Sequence, residues 1–246
     1  MLHVPLLSSG EIHAWHVVAD AGSTGRVAPL LDDDERARAG RFVFSADRDL
    51  FVATRGWLRV LLGEYLGEPG EGLRFSAGPT GKPALAGAGA AVEFNVSHSG
   101  TRALLAFSTD RAVGVDIERI DGRRDALELA PSVFTAYEQA FLRDAAPDDR
   151  LSTFFRLWTG KEAYVKARGA GLSVPLQSFS VTPATHLSVS SVTAPDPSID
   201  QPSVQWLDAP TGYAAALAAR APWQLRVFHF ANGKTEEGIE RTEDRR

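Results

Sequence analysis

The segment from Pro147 to about Gly169 has the period of a long helix, and it carries one acidic residue on its apolar side. At about 100° per residue, five apolar side chains fall on one arc of roughly 100°, and Glu162 lies within that arc. The five are Leu151, Phe154, Phe155, Trp158 and Val165. Burying a carboxylate is unfavourable unless it is paired or binds a metal. The pattern therefore indicates either an ion pair with Lys166, one turn further along, or a metal site at the edge of a core.

A second acidic pattern lies on a predicted strand from Val113 to Glu118. Asp116 and Glu118 are two residues apart, so both project from one face of the strand, while Val115 and Ile117 occupy the other. Carboxylates this close repel each other, and a divalent cation would compensate for the repulsion. Together with the helix carboxylate they form an oxygen-rich set that suits Mg²⁺. The alternative for this pair alone is two solvated carboxylates on an exposed sheet face.

Several residues are candidates for binding phosphate, which usually shares Mg²⁺ with a few protein carboxylates. Ser97 and His98 lie in a predicted loop, Asn95–Gly100, that offers hydroxyls, an imidazole and backbone amides. Lys82 stands between a glycine and a proline in a turn-rich segment. A basic cluster further towards the N-terminus consists of Arg36, Arg38 and Arg41. Each of these side chains has an ordinary alternative role as a solvated surface group.

Charge and composition exclude several other classes of function. A net charge of -5 over 246 residues gives no basic excess of the kind that binds nucleic acids or anionic membranes. The chain has no cysteine, which excludes a disulfide framework, a thiolate nucleophile and a zinc–cysteine site. It shows neither a signal-peptide pattern nor a run of about 20 apolar residues typical of a membrane helix. We therefore expect a cytoplasmic protein with no nucleic-acid or membrane partner.

The remaining patterns predict a mixed α+β fold. Thr135 and Glu138 have the spacing of a capping box at the start of a short helix, and Ser45 is the expected N-cap of a helix that ends at Leu66. Strands are predicted at residues 12–18, 103–108, 213–219 and 224–230. Each half of the chain then holds a substantial helix and several strands, which indicates two similar-sized lobes.

Three segments of the chain resemble the signature motifs of 4′-phosphopantetheinyl transferases. They are Phe94-Asn-Val-Ser-His-Ser-Gly100, Gly114-Val-Asp-Ile-Glu118 and Trp158-Thr-Gly-Lys-Glu-Ala-Tyr-Val-Lys166. The Gly81-Lys82-Pro83 turn and the segment 41–47 are also similar to that family, and the chain length is similar to that of its monomeric Sfp type. The resemblance implies an α+β fold of two similar-sized lobes related by pseudo-twofold symmetry, with the active site in the cleft between them.

The resemblance also implies how the lobes divide the work. Residues 1–112 form the expected N-terminal lobe, which contacts the phosphates and adenine of coenzyme A. Residues 113–231 form the C-terminal lobe, which carries the metal-binding carboxylates and docks the carrier protein, and residues 232–246 are expected to be a disordered tail. An apolar docking patch is expected near Phe134, Tyr137 or Phe141, although core packing is the ordinary role of such side chains. The acidic segment 32–35 departs from the family, whose members often have basic residues there.

Individual roles follow from the same resemblance. Asp116, Glu118 and Glu162 would bind Mg²⁺ together with the pyrophosphate of coenzyme A. Glu162, or a water that it holds, would take the proton of the acceptor serine, while Lys166 and Lys161 would add positive charge at the leaving group. Glu162 and Lys166 are thus the implied catalytic residues. The residues implied to contact coenzyme A are Arg38, Arg41, Lys82, Ser97, His98, Lys161 and Lys166.

The implied reaction is the Mg²⁺-dependent transfer of 4′-phosphopantetheine from coenzyme A to a serine of an acyl or peptidyl carrier protein. It converts the apo carrier to its holo form, as in polyketide or nonribosomal peptide biosynthesis, and releases adenosine 3′,5′-bisphosphate. The enzyme is expected to be a monomer. Two alternatives use the same carboxylates: a Mg²⁺-dependent hydrolase of coenzyme A or nucleotide pyrophosphates, and a non-catalytic module that binds coenzyme A or a carrier protein.

Overall fold

Two structural units make up the chain, and the first of them is interrupted by the second. The computed structural model describes residues 4–77, 83–86, 92–122, 126–169, 174–181, 189–190, 201–231 and 234–238. One unit lies within Met1–Asp110 and Gln224–Glu240, and the other lies within Arg111–Trp223. The chain therefore leaves the first unit after Asp110 and returns to it at Gln224.

Helices and strands alternate irregularly along both units. The first unit begins with β1 (Glu11–Val18), α1 (Ala21–Val27), α2 (Asp33–Ala39), α3 (Ser45–Leu66), β2 (Phe75–Ala77), β3 (Pro83–Leu85), β4 (Glu93–Ser99) and β5 (Arg102–Ser108). The second unit contains β6 (Val113–Arg119), α4 (Ala126–Val133), α5 (Ala136–Asp144), α6 (Arg150–Ala167), β7 (Val189–Ser190), β8 (Ser203–Leu207) and β9 (Tyr213–Ala219). The chain then completes the first unit with β10 (Gln224–Ala231) and β11 (Lys234–Gly238). This content confirms the predicted α+β fold.

The main sheet of the first unit has the strand order β11-β10-β1-β5-β4. Strand β1 lies at its centre, parallel to β10 and antiparallel to β5. Helix α3 shares an apolar cluster with this sheet, in which Trp57, Leu58 and Leu61 join Trp15 and Phe107. The bounds of α3 are those predicted from its period, but Ser45 is its first helical residue and not its N-cap. Position 44 is the N-cap, and its side chain makes no capping hydrogen bond.

The second unit places α6 on an antiparallel sheet of strand order β6-β9-β8-β7. Alternate alanines of β9, at positions 214, 216 and 218, lie in one apolar cluster with Phe155, Tyr164 and Trp206. Small side chains on the strand allow the helix backbone to come close to the sheet. The capping box predicted at Thr135 and Glu138 is present at the start of α5.

The chain after residue 223 corrects two predicted boundaries. Strand β10 belongs to the first unit, so the expected continuous lobe 113–231 is wrong at its end. Its partner β1 is about two hundred residues away in sequence, and the local pattern carries no information on such a pairing. The predicted disordered tail 232–246 is wrong for Lys234–Gly238, which pair with β10 as β11. β11 lies at the edge of this sheet.

The turn at Lys82 lies outside the described residues. The pseudo-twofold symmetry and the cleft between lobes stay predictions.

Among the helices that the structure describes, none has the length and apolarity that crossing a membrane requires.

Candidate active site

Strand β6 and helix α6 bring four of the predicted site residues together in the second unit. Asp116 is buried on β6 and Glu118, two residues later, is half-buried. Glu162 and Lys166 are half-buried on α6, one turn apart. Val115 and Ile117 are fully buried, as the strand alternation predicts. The two acidic patterns of the sequence therefore belong to one cluster.

The ammonium of Lys166 makes a short polar contact in this cluster. Its Nζ donates to Oδ1 of Asp116 at 2.6 Å, with side chains that are 27% and 4% exposed, respectively. This ion pair crosses from α6 to β6, whereas the alternative in the sequence was a pair with Glu162 along the helix. A contact between α6 and β6 says more about the tertiary structure than a contact within α6, because it depends on how the helix packs on the sheet.

Burial and charged neighbours shift the pKa of Glu162. Burial raises the pKa of Glu162 above its ordinary value, and the negative charge of Asp116 raises it further. Lys166 acts in the opposite direction, and Glu118 again raises this pKa. Three carboxylates thus interact through space, with the Lys166 ammonium beside them. Their mutual repulsion is the condition in which an additional cation stabilises the ionised forms.

The cluster can be compared with what a divalent cation requires. Its donors are carboxylate oxygens, which Mg²⁺ prefers, and its negative charge exceeds the charge of Lys166. Within the described ranges, no three His, Cys, Asp or Glu side chains converge on one point as metal ligands. In this conformation the Lys166 ammonium contacts Asp116. The cluster therefore fits Mg²⁺ in donor type and charge, but its side chains do not converge as metal ligands, and one of its carboxylates, Asp116, contacts an ammonium.

Gly114 allows β6 and α6 to approach closely enough for this contact. A Cβ added at Gly114 would lie 2.1 Å from the carbonyl oxygen of Ala163 and 2.3 Å from the nitrogen of Ala167. Both are backbone atoms of the helical turn that carries Lys166, so they cannot rotate away. A side chain at this position would have to push α6 off the sheet.

The Gly114→Ala substitution is expected to lower the free energy of unfolding by about 3 kcal/mol, the upper part of the usual cost of overpacking. Urea unfolding of the purified variant measures this. Gly122→Ala is the matched control in the same unit, because among the described residues a Cβ there would meet only Leu151 Cδ2, at 3.7 Å. A Gly114→Ala protein as stable as the control would contradict the close packing of α6 on β6.

The structure corrects the role expected for Lys161. Its side chain is fully buried, and its ammonium donates to Glu138 Oε1 at 2.8 Å and to the carbonyl oxygen of Phe179 at 2.6 Å. Burial lowers the pKa of Lys161, which the carboxylate of Glu138 opposes. An ammonium enclosed in this way has no surface that a phosphate of coenzyme A could contact. The pair instead ties α6 to the capping box of α5.

The remaining candidates for phosphate binding lie in the first unit. Ser97 is buried and His98 is exposed, since adjacent residues of β4 point to opposite faces. Arg38 and Arg41 are exposed, and the guanidinium of Arg38 lies 4.9 Å from the ring centroid of Phe51. These four residues are available to an anion to different degrees, and the assignment of each to coenzyme A stays a prediction.

The acidic segment that departs from the family has a structural role that the sequence analysis missed. Arg59 on α3 is fully buried, and it forms ion pairs with Asp32 at 2.5 Å and Glu35 at 2.7 Å. Its guanidinium also donates to the carbonyl oxygens of Gly70 and Leu73. On the helical wheel Arg59 lies about 140° from the centre of the apolar face of α3, so the helical period gave no signal that its guanidinium is buried beside carboxylates.

Of the three aromatic residues expected near a docking patch, one is buried and two are exposed. Phe134 is fully buried in the apolar cluster, so it is a core residue. Tyr137 and Phe141 are 59% and 37% exposed, one turn apart on α5. They leave an apolar stripe on this helix, and its role in docking stays a prediction.

Comparison with known proteins identifies the family. A model described as the 4′-phosphopantetheinyl transferase superfamily matches residues 112–218, and a model of the N-terminal region of a 4′-phosphopantetheinyl transferase matches residues 20–110. The 4′-phosphopantetheinyl transferase HetI of Nostoc sp. strain PCC 7120 is 35% identical over 229 residues, which are 91% of this chain and 94% of that protein. The chain belongs to the 4′-phosphopantetheinyl transferase superfamily.

Two further relatives of this transferase extend the comparison. The 4′-phosphopantetheinyl transferase Sfp of Bacillus subtilis strain 168 is 31% identical over 63% of this chain and 68% of its own. The L-aminoadipate-semialdehyde dehydrogenase-phosphopantetheinyl transferase of Xenopus laevis is 34% identical over 64% of this chain and 56% of its own. The two family models meet between residues 110 and 112, where the first structural unit of the transferase gives way to the second. The predicted family and enzyme class are therefore confirmed.

Proposed function

We propose that this transferase moves the 4′-phosphopantetheine group of coenzyme A onto a serine of an acyl or peptidyl carrier protein, with Mg²⁺ held by Asp116, Glu118 and Glu162. The observation that supports the metal part is the cluster of three carboxylates beside Lys166 in the second unit. The support for the reaction is membership of the family and the 35% identity with HetI over nearly the whole chain.

Phosphoryl transfer depends mainly on positioning and charge stabilisation, so the proposal assigns those tasks to named residues. A bound Mg²⁺ would supply charge neutralisation at the pyrophosphate. Asp116 and Glu118 would hold it from β6. Lys166 donates to phosphate oxygens as negative charge develops on the leaving group, which is adenosine 3′,5′-bisphosphate.

Glu162 is the proposed acceptor of the serine proton, directly or through a water that it holds. Its half-buried position beside the other carboxylates and Lys166 suits a group that takes a proton from a serine bound at this cluster. The phosphates of coenzyme A are assigned to Arg38, Arg41, Lys82, Ser97 and His98. Lys161 has no part in the proposal, because its ammonium is enclosed.

Intact mass spectrometry of an apo carrier protein tests the proposal. Incubation with the transferase, coenzyme A and Mg²⁺ is expected to add one phosphopantetheine group to the carrier, and a chelator is expected to abolish the gain. A carrier whose acceptor serine is replaced by alanine is the control. Chromatography of the same mixture should show one adenosine 3′,5′-bisphosphate for each holo carrier formed.

Two outcomes would contradict the proposal in different ways. Loss of coenzyme A without any gain in carrier mass would favour a hydrolase. Binding of coenzyme A with neither hydrolysis nor transfer, across carriers of the polyketide, nonribosomal peptide and fatty-acid types, would favour a non-catalytic module.

A further inference from the structure

The contact between Lys166 and Asp116 involves a carboxylate that the proposed function assigns to the metal. Asp116 is nearly inaccessible, with a side chain that is 4% exposed, and its Oδ1 accepts from the Lys166 ammonium at 2.6 Å. Magnesium requires carboxylate oxygens at about 2.0–2.1 Å in near-octahedral geometry. An ammonium and a divalent cation that share one carboxylate repel each other, whichever of its oxygens each contacts.

The two partners of this contact differ in their freedom to move. Asp116 is held by a strand whose backbone pairs with β9 throughout. Lys166 has a flexible four-carbon stem, and 27% of its side chain is exposed. Its ammonium can therefore leave the carboxylate for a nearby anion while α6 stays in place. The short side chain of Asp116 has no comparable reach.

We propose that Lys166 is the resident counterion of the carboxylate cluster: it holds Asp116 in the metal-free enzyme and is released from it when the divalent cation binds. This inference rests on the proposed function, because it takes Asp116 as a metal ligand. Release frees the ammonium for the phosphates of the substrate, so the positive charge reaches them only after the metal is loaded. Lys166 then makes metal binding precede its own contact with the substrate phosphates, and it also stabilises the charge of the leaving group.

Competition for one carboxylate has a thermodynamic consequence that can be measured without turnover. If cation binding breaks the ion pair, removing Lys166 must strengthen cation binding, because the pair no longer has to be broken. The same variant must lose stability only when metal-free, where Asp116 lacks the Lys166 ammonium. If Lys166 instead helps the cation to bind, removing Lys166 must weaken cation binding. The variant must then lose more stability with the cation than without it.

Isothermal titration calorimetry with MgCl₂, without coenzyme A, tests this on the full-length protein. We expect Lys166→Met to bind Mg²⁺ roughly three- to tenfold more tightly than the wild type, which corresponds to losing one partly exposed ion pair. Arg168→Met is the matched control: it removes one exposed charge from the same end of α6, and its described contacts are with Tyr164. We expect its affinity to stay within about twofold of the wild type.

Each calorimetric outcome is decisive. Unchanged or weaker binding by Lys166→Met, with Mg²⁺ still bound by the wild type, overturns the counterion role and leaves the proposed function standing. An equal gain in Arg168→Met also overturns it, because the effect would then be one of overall charge. Failure of both wild type and Lys166→Met to bind Mg²⁺ overturns the metal site itself, and the inference with it.

A second measurement follows the ammonium directly in the wild type and does not depend on the folding of a variant. In a ¹H–¹⁵N spectrum of lysine side chains, the Lys166 Nζ resonance is assigned by its loss in Lys166→Arg. We expect a slowly exchanging signal in the metal-free protein, which Mg²⁺ without coenzyme A converts to the fast exchange of a solvated ammonium. A signal that is unchanged at saturating Mg²⁺ would show that the pair survives metal binding, which contradicts the proposal.

Discussion

The Glu162→Gln substitution is expected to lower the rate of phosphopantetheine transfer by about 10²- to 10⁴-fold, the range found for loss of a positioned acid–base group. Glutamine keeps the length of the side chain but cannot accept the serine proton, and its neutral amide is a weaker ligand for Mg²⁺. The same change should weaken Mg²⁺ binding, so added Mg²⁺ should recover only part of the lost rate.

Stability separates this effect from unfolding. Burial and the charge of Asp116 raise the pKa of Glu162 in the folded protein, so its ionised form costs the folded state free energy at neutral pH. This cost is absent below the unfolded pKa and grows as the pH rises through the folded pKa. The metal-free Glu162→Gln protein is therefore expected to be as stable as the wild type or more stable. Thermal unfolding at pH 7 measures this.

The matched control for Glu162→Gln is Asp144→Asn, which removes an exposed carboxylate at the end of α5. The transfer rate of this control should match that of the wild type. The rate itself is measured as holo carrier formed per minute at several Mg²⁺ concentrations. Near-normal turnover of Glu162→Gln at saturating Mg²⁺ would remove Glu162 from the chemistry and leave a metal-binding role at most.

The Lys161→Met substitution is expected to lower the free energy of unfolding by about 3–5 kcal/mol, the cost of breaking a buried ion pair from one side. Glu138 would be left charged and fully buried, and the carbonyl oxygen of Phe179 would lose its donor. The backbone nitrogen of Val181 also donates to Glu138, so strain at this carboxylate extends to the segment beyond α6. Chemical denaturation of the variant measures the loss.

The double variant Glu138→Gln/Lys161→Met tests whether Lys161 has a structural role alone. It removes both charges, so much of the stability should return, although glutamine still has buried polar atoms to satisfy. Its affinity for coenzyme A should equal that of the wild type, because the enclosed ammonium does not reach a phosphate. A stable double variant with clearly weakened coenzyme A binding would contradict the structural assignment and restore the role that the motif implied.

Local periodicity in the sequence was enough to predict the elements that carry the site. The alternation in β6 placed Val115 and Ile117 in the core, and the helical period identified Glu162 as an acidic residue out of place. The bounds of α3 and the capping box of α5 were predicted for the same reason. Strand alternation, helical period and capping each depend on residues only a few positions apart, so a single sequence contains them.

The tertiary structure alone decided which groups meet. The sequence did not show that Lys166 pairs with Asp116 on β6, or that Lys161, one position before Glu162, points into the core and pairs with Glu138. It also did not show that β10 returns to pair with β1. These contacts join residues that are 23 or more positions apart in the chain. Their partners are selected by the packing of helix on sheet and of strand on strand, and a local pattern holds no record of that packing.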